Sequence, residues 1–136
     1  MTDFGSSIKK TEEFEFAILG IPFDEKSCYM KGVSKGPQAI RAASTGEAIN
    51  PWTESGVSLE AETNIVDLGD LDVSGSFWDV FAKTEEKVRY ILKKGAVPIV
   101  LGGDHSLSYP IIKAFAEEYE SLDILHFDAH PDLYDE

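Results

Sequence analysis

A chain of 136 residues has the size of one domain or of part of a larger one, and with 43% hydrophobic residues it is too apolar for a disordered chain. Its net charge of −13, from 25 acidic against 12 basic side chains, disfavours nucleic acid and anionic membrane surfaces as partners. The single cysteine, Cys28, excludes an intrachain disulfide and suits a reducing, cytoplasmic setting, where a free loop thiol is the simplest reading.

In chain order, Met1 to Lys10 is polar and lacks the apolar centre of a signal peptide, and no later run reaches the length of a membrane helix. The first predicted strand covers residues 14–19. A loop with Pro22 and Gly32 follows, then a short helix over 36–43 that opens with Pro37, a good first-turn residue. Residues 44–62 read as irregular, broken by Gly46, Pro51 and Gly56. A strand is predicted at 64–68. The clearest helix spans 76–94: Phe77, Val80, Phe81, Val88, Ile91 and Leu92 recur at helical spacing, and Gly95 supplies a stop. A strand at 97–101, a helix at 107–119 and a strand at 122–127 complete the pattern. Alternating strands and helices imply parallel pairing with right-handed crossovers. Nearly continuous apolar strands imply helices on both faces, a three-layer α/β/α arrangement.

Two motifs carry chemistry. Gly102-Gly103-Asp104-His105-Ser106 follows the apolar run 97–101 and places His105 at the mouth of a strand, where a helix begins. Asp128-Ala129-His130-Pro131-Asp132 follows the run 122–127 and puts carboxylate, imidazole and carboxylate at alternate positions. An extended backbone sends alternate side chains to one side, so Asp128, His130 and Asp132 can converge. Carboxylate oxygens with imidazole nitrogens suit a divalent cation of borderline hardness such as manganese, iron or zinc. In parallel sheets, sites form outside the carboxyl ends of the strands, where both motifs lie.

The GGDHS and DAHPD motifs, in this order, resemble the arginase/agmatinase (ureohydrolase) family. Gly20-Ile21-Pro22-Phe23 and Lys35-Gly36-Pro37-Gln38-Ala39-Ile40-Arg41 are similar to that family's first strand, substrate-side loop and first helix, and Asp67-Leu68-Gly69-Asp70 to its second strand end. The resemblance runs from about Phe14 to the last residue. It implies an arginase-like fold and two manganese ions sharing a hydroxide that attacks a guanidinium carbon, with urea as leaving product. Carried over by position, His105 matches a histidine on the first metal, Asp128 a bridging carboxylate, His130 a histidine on the second metal and Asp132 a carboxylate on the first. The family's further aspartates, in a pattern like S-x-D-x-D, its proton-shuttling histidine and its guanidinium-binding glutamate have no counterpart here. The protein acid/base is therefore not assigned within this sequence. Residues 1–136 are accordingly expected to form the amino-terminal portion of a single ureohydrolase domain. Tyr134 stands where animal-type arginases carry an asparagine, which resembles agmatinases or the plant-type arginases close to them; agmatine, giving putrescine, is favoured, with arginine and other guanidino acids open. The family also implies trimers or hexamers and a small cationic guanidino substrate.

Other readings compete residue by residue. His105 alone could be a helix-start residue bonded to backbone. Asp104 either orients a ligand or caps the following helix. His126 reads as a packed strand residue, not a ligand. Asp67, Asp70 and Asp72 read as solvated turn carboxylates, since the rest of a calcium loop is missing. Trp52 and Trp78 read as packing residues. At the level of function, an inactive metal-binding fragment is one alternative. A metallophosphoesterase is another, disfavoured because that class places D-x-H on its first strand.

Overall fold

The computed structural model describes residues 12–45 and 50–130. Strand β1, Phe16–Gly20, lies at the centre of a three-stranded parallel sheet, between β2, Ile65–Asp70, and β3, Val97–Leu101. Pairing runs Phe16 with Ile65 on one side and Phe16 with Val97 on the other. β1 and β2 are neighbours, but β2 and β3 are not. β3 returns to the far side of β1, and the crossover from β2 passes through α3, Phe77–Lys93. The expected parallel α/β architecture is present.

Helix α3 begins at a capping box. The Ser76 side chain accepts from the backbone of Asp79, and the Asp79 side chain accepts from the backbone of Ser76. Its apolar face is the predicted one: Val80, Phe81, Val88, Ile91 and Leu92 are all buried. Val80, Phe81 and Ile91 pack on Ala17, Leu19 and Val66 of the sheet, forming the main core. Val88 and Leu92 pack with Ala114 of α4, Ser108–Glu118, in a second cluster that includes Val100. On the outer surface, Arg89 bridges Glu85 and Glu117, and Lys113 reaches Glu85, so charged pairs span α3 and α4.

Helix α1, Gly36–Ala43, is tethered through one side chain. Arg41 is buried, donates Nε to Asp67 at 2.7 Å and Nη2 to the same carboxylate at 2.9 Å, and also bonds Asp70. Asp67 and Asp70 are an odd number of residues apart and would face opposite ways in a regular strand. The β1–β2 register shifts at this point, and Gly69 takes φ +76°, which lets both carboxylates reach one guanidinium. The reading of these two aspartates as solvated turn residues is thus corrected: the Asp67 side chain is 3% exposed and ion-paired. Asp72 pairs with Lys83 at 2.7 Å, also as part of a folded turn.

Two further expectations change. The irregular segment 44–62 contains a short helix α2, Leu59–Glu62, and an isolated bridge between Trp52 and Ser58. Residues 122–127 are not a strand: they pair with no other strand among the described residues, and Leu125 and Phe127 are 81% and 89% exposed. A β-strand exists only in its ladder, and no adjacent backbone among the described residues offers one here. On β3, Val97 and Ile99 alternate outward and are exposed, while Val100 packs inward, so among the described residues helices cover one face of this strand.

Candidate metal centre at the carboxyl ends of the strands

The first half of the site is the turn after β3. The loop after β1 crosses it so closely that a Cβ on Gly103 would lie 1.6 Å from the Phe23 carbonyl oxygen, which requires glycine there. The Asp104 backbone N–H donates to that same carbonyl at 2.8 Å. The buried Asp104 carboxylate accepts from the Lys26 backbone N–H at 2.8 Å and from the Ser106 N–H at 3.1 Å. Asp104 therefore caps the 3-10 turn His105–Leu107 that leads into α4 and ties it to the first loop. Its two oxygens have structural work, so it serves as a support and not a ligand.

That support fixes His105. Its Nδ1 lies 3.2 Å from Ser108 Oγ, one turn along. With Nδ1–H donating to the hydroxyl, Nε2 carries the lone pair a metal needs. A cleft of about 780 Å³ opens beside it, lined in part by Lys26, Cys28, Tyr29, Met30 and Tyr109. Cys28 is exposed, as expected of a free loop thiol. Trp78 lies edge-on to Phe77, with centroids 4.9 Å apart, and Trp52 is exposed.

The second half of the site is the segment 126–130. His105 and His126 lie with their rings nearly parallel, 2° apart, with centroids separated by 5.3 Å. Asp128 follows: its Oδ2 is 3.5 Å from His126 Nε2, and its Oδ1 is 3.5 Å from His130 Nδ1. The His130 backbone N–H donates to Asp128 Oδ1 at 2.9 Å. That bond holds the Asp128 carboxyl below its usual range, partly offset by desolvation and assisted by the neighbouring imidazoles. Asp128 is therefore ionised at neutral pH, as a metal ligand must be.

His105, His126 and Asp128 each offer one ligand atom, all within 4.8 Å of one another. Ligands on opposite sides of a cation stand about 4.2 Å apart, given bonds of roughly 2.1 Å. Three ligands cannot all lie opposite one another, so the three exposed side chains would draw closer together to share one ion, and two imidazoles with one carboxylate are a donor set for a borderline divalent metal. Manganese, the metal the sequence resemblance implies, fits these residues.

Of the expected ligands, the structure brings His105 and Asp128 together. It leaves His130 beside Asp128 with its ring mostly exposed, outside the three-residue group. Asp132 lies outside the described residues. His126, expected inside a packed strand and not as a ligand, instead lies beside His105 and Asp128 in this group. Its even spacing from Asp128 and His130 was the available signal.

The profile of the arginase family matches residues 14–136. An agmatinase of Bacillus subtilis is 37% identical over 132 residues, covering 96% of this chain and 44% of that protein. Arginase 2 of Arabidopsis thaliana is 36% identical over 127 residues, covering 88% of this chain and 37% of that protein. The crystal structure of Trypanosoma cruzi formiminoglutamase with Mn2+ superposes with a TM-score of 0.73 at 27% identity, covering 86% of this chain and 42% of that one. The chain thus spans less than half the length of these relatives, 37% to 44%. The two motifs, the parallel sheet and the extent of the match agree: the chain belongs to the arginase family.

Proposed function

We propose that these residues form the amino-terminal portion of a ureohydrolase domain that splits a guanidino C–N bond and releases urea, with agmatine as the favoured substrate and putrescine as the other product. The observation that carries this reading is the convergence of His105 with the segment bearing Asp128 at the carboxyl ends of the strands. Tyr134 sets the chain apart from animal-type arginases, which supports agmatine while leaving a plant-type arginase open. Arginine is the second reading, because an agmatinase and an arginase are almost equally similar to the chain.

Bound manganese would supply a nucleophile from water at neutral pH, which the poorly electrophilic guanidinium requires. The chain's own contribution is to hold and orient it. His105, Asp128 and His130 are the proposed ligands in the described region, with Asp132 completing this part of a two-ion centre. Ser108 orients His105, and Asp104 fixes the turn on which it rides. A negative surface potential, from the net charge of −13, favours the approach of a cationic guanidino compound. The proposed setting is cytoplasmic, and the proposed assembly is a trimer or hexamer of complete domains.

The test is urea release from agmatine and from arginine with added manganese, in the 136-residue chain and in a version extended through an S-x-D-x-D segment. Manganese-dependent release from agmatine in the extended version, abolished by Asp128→Ala, is the expected result. Activity confined to the extended version would make the 136 residues a metal-binding part of the enzyme. Release of phosphate from a generic ester, with no urea from either substrate, would overturn the proposal.

A further inference from the structure

The cleft of about 780 Å³ beside His105 offers far more space than a guanidinium group needs. Its walls come in part from the loop after β1, which supplies Tyr29, Met30 and Val33, and from the first turn of α4, which supplies Tyr109. We propose that this cleft holds the alkyl chain of the guanidino substrate, with Tyr29 and Met30 as the residues that select for that chain. The inference rests on the ureohydrolase reading and deepens it, by naming the part of the substrate that the first loop reads.

The loop is built to hold its shape. Asp24 accepts from the Gly32 N–H at 2.7 Å and from Ser34 Oγ at 3.1 Å, and Lys31 Nζ donates to the Glu25 carbonyl at 2.8 Å. The loop is also tied to the turn that bears His105. The Lys26 N–H donates to Asp104 Oδ2 at 2.8 Å, and the Asp104 N–H donates to the Phe23 carbonyl at 2.8 Å. Loop and histidine are therefore fixed relative to each other. Yet the side chains at the tip are large, apolar and outside the core: Tyr29 is 94% exposed and Met30 is 67% exposed, and neither belongs to a core cluster. Folding gains little from them there. A held loop that presents apolar side chains to water beside a candidate metal centre has the character of a binding surface. Tyr109 is held as well, with its ring stacked on Phe81 at 6.0 Å between centroids.

The charged groups of the walls are directed elsewhere. Asp104 is the one carboxylate among the described lining residues, and it commits Oδ2 to the Lys26 N–H and Oδ1 to the Ser106 N–H. The Lys26 ammonium sits over the ring of Phe77, 4.6 Å from its centroid, and Phe77 is not part of the lining. Tyr29, Met30, Val33 and Tyr109 leave rings, a thioether and methyl groups, which gain by covering methylenes. The cleft thus reads the chain itself, and a terminal ammonium stays in water.

The first test measures inhibition of agmatine hydrolysis by n-butylguanidine and by methylguanidine, which has the same head group without the chain, in the version extended through the S-x-D-x-D segment. The parent is set against Tyr29→Ser, Met30→Ser and the double variant, with melting temperatures confirming that each folds. The parent should bind n-butylguanidine more tightly than methylguanidine, and the double variant should lose about tenfold of that preference. A preference equal to the parent's in the double variant would overturn the role of the loop while leaving the ureohydrolase reading intact. The second test uses Cys28, the single thiol of the chain, which is exposed and lines the same cleft. In the 136-residue chain, n-butylguanidine should slow alkylation of Cys28 by iodoacetamide more than methylguanidine does at equal concentration. Equal rates with the two guanidines would overturn the cleft as a chain site. Absence of urea release from agmatine and from arginine by the extended version would overturn the ureohydrolase reading. The thiol measurement, which needs neither metal nor turnover, would then uphold or overturn the chain site by itself.

Discussion

Val97–Leu101 and the run 122–127 are both short, apolar and placed just before a motif with a candidate ligand histidine. One is a strand and the other is not. Val97–Leu101 pairs residue for residue with β1 and packs Val100 against α3 and α4. Residues 122–127 have the composition of a strand but no ladder among the described residues, and Leu125 and Phe127 stand in solvent. Composition makes a strand possible, whereas a neighbouring backbone makes it real. The two halves of the metal centre inherit this difference. His105 rides on a turn clamped by Asp104 and Gly103, while His126 and Asp128 are ordered mainly by contacts among the site residues themselves.

Disrupting the well-supported half should have the largest effect. Arg41→Leu leaves the Asp67 carboxylate buried without its partner, and urea denaturation should show a loss of about 3–5 kcal/mol. Replacing both Arg41 and Asp67 by leucine should recover much of that loss, because the buried charge goes with its partner. A loss no larger than that of a surface ion pair would mean that α1 is not anchored through this side chain. Ile91→Ala, which opens a cavity between α3 and the sheet, should cost about 3 kcal/mol.

Much of this supported half was legible in the sequence, for physical reasons. The helical spacing of Val80, Val88 and Ile91 is a local pattern, and α3 follows it. The glycine pair before Asp104 marked a tight turn, and the structure shows why Gly103 is needed there. What was not legible depended on distant partners. Asp67 and Asp70 resembled solvent-facing turn residues because their guanidinium comes from 26 and 29 positions away and a register shift turns both toward it. The segment 122–127 was misread because nothing local reveals whether a ladder partner is present. The position of His126 beside His105 was not foreseen as a consequence, since a strand interior would have kept the two rings apart.

A smaller effect would sharpen the contrast by testing a loop that lacks regular structure but is still held. Asp24 accepts from the Gly32 N–H at 2.7 Å and from Ser34 Oγ at 3.1 Å, closing the loop beside the cleft, and Lys31 Nζ reaches the Asp24 and Glu25 carbonyls. The Gly32 bond is the main reason its carboxyl titrates below the usual 3.8. A group depressed in the folded state stabilises fully above its unfolded value and loses that contribution as pH falls through the lower folded value. Asp24→Asn should therefore melt at a lower temperature than the parent at neutral pH, and the gap should close as pH is taken below 3.8. A gap that persists unchanged in acid would mean that shape, not charge, closes the loop.

The smallest expected effect is the most direct challenge to the comparison. Leu125→Ser and Phe127→Ser remove large apolar side chains from a segment with strand-like composition, and in a buried strand each would cost several kcal/mol. Both side chains are exposed in this chain, so each substitution should change stability by no more than about 0.5 kcal/mol. Metal affinity should also hold, because Leu125 and Phe127 lie on the opposite parity to His126 and Asp128. Chemical denaturation and Mn2+ titration of the same samples separate the two quantities. A loss of several kcal/mol on either substitution would show that the segment is paired in solution, with a second copy of the chain or an added sheet edge supplying the ladder. His126 and Asp128 would then be positioned by a strand after all, and the two halves of the centre would have the same kind of support.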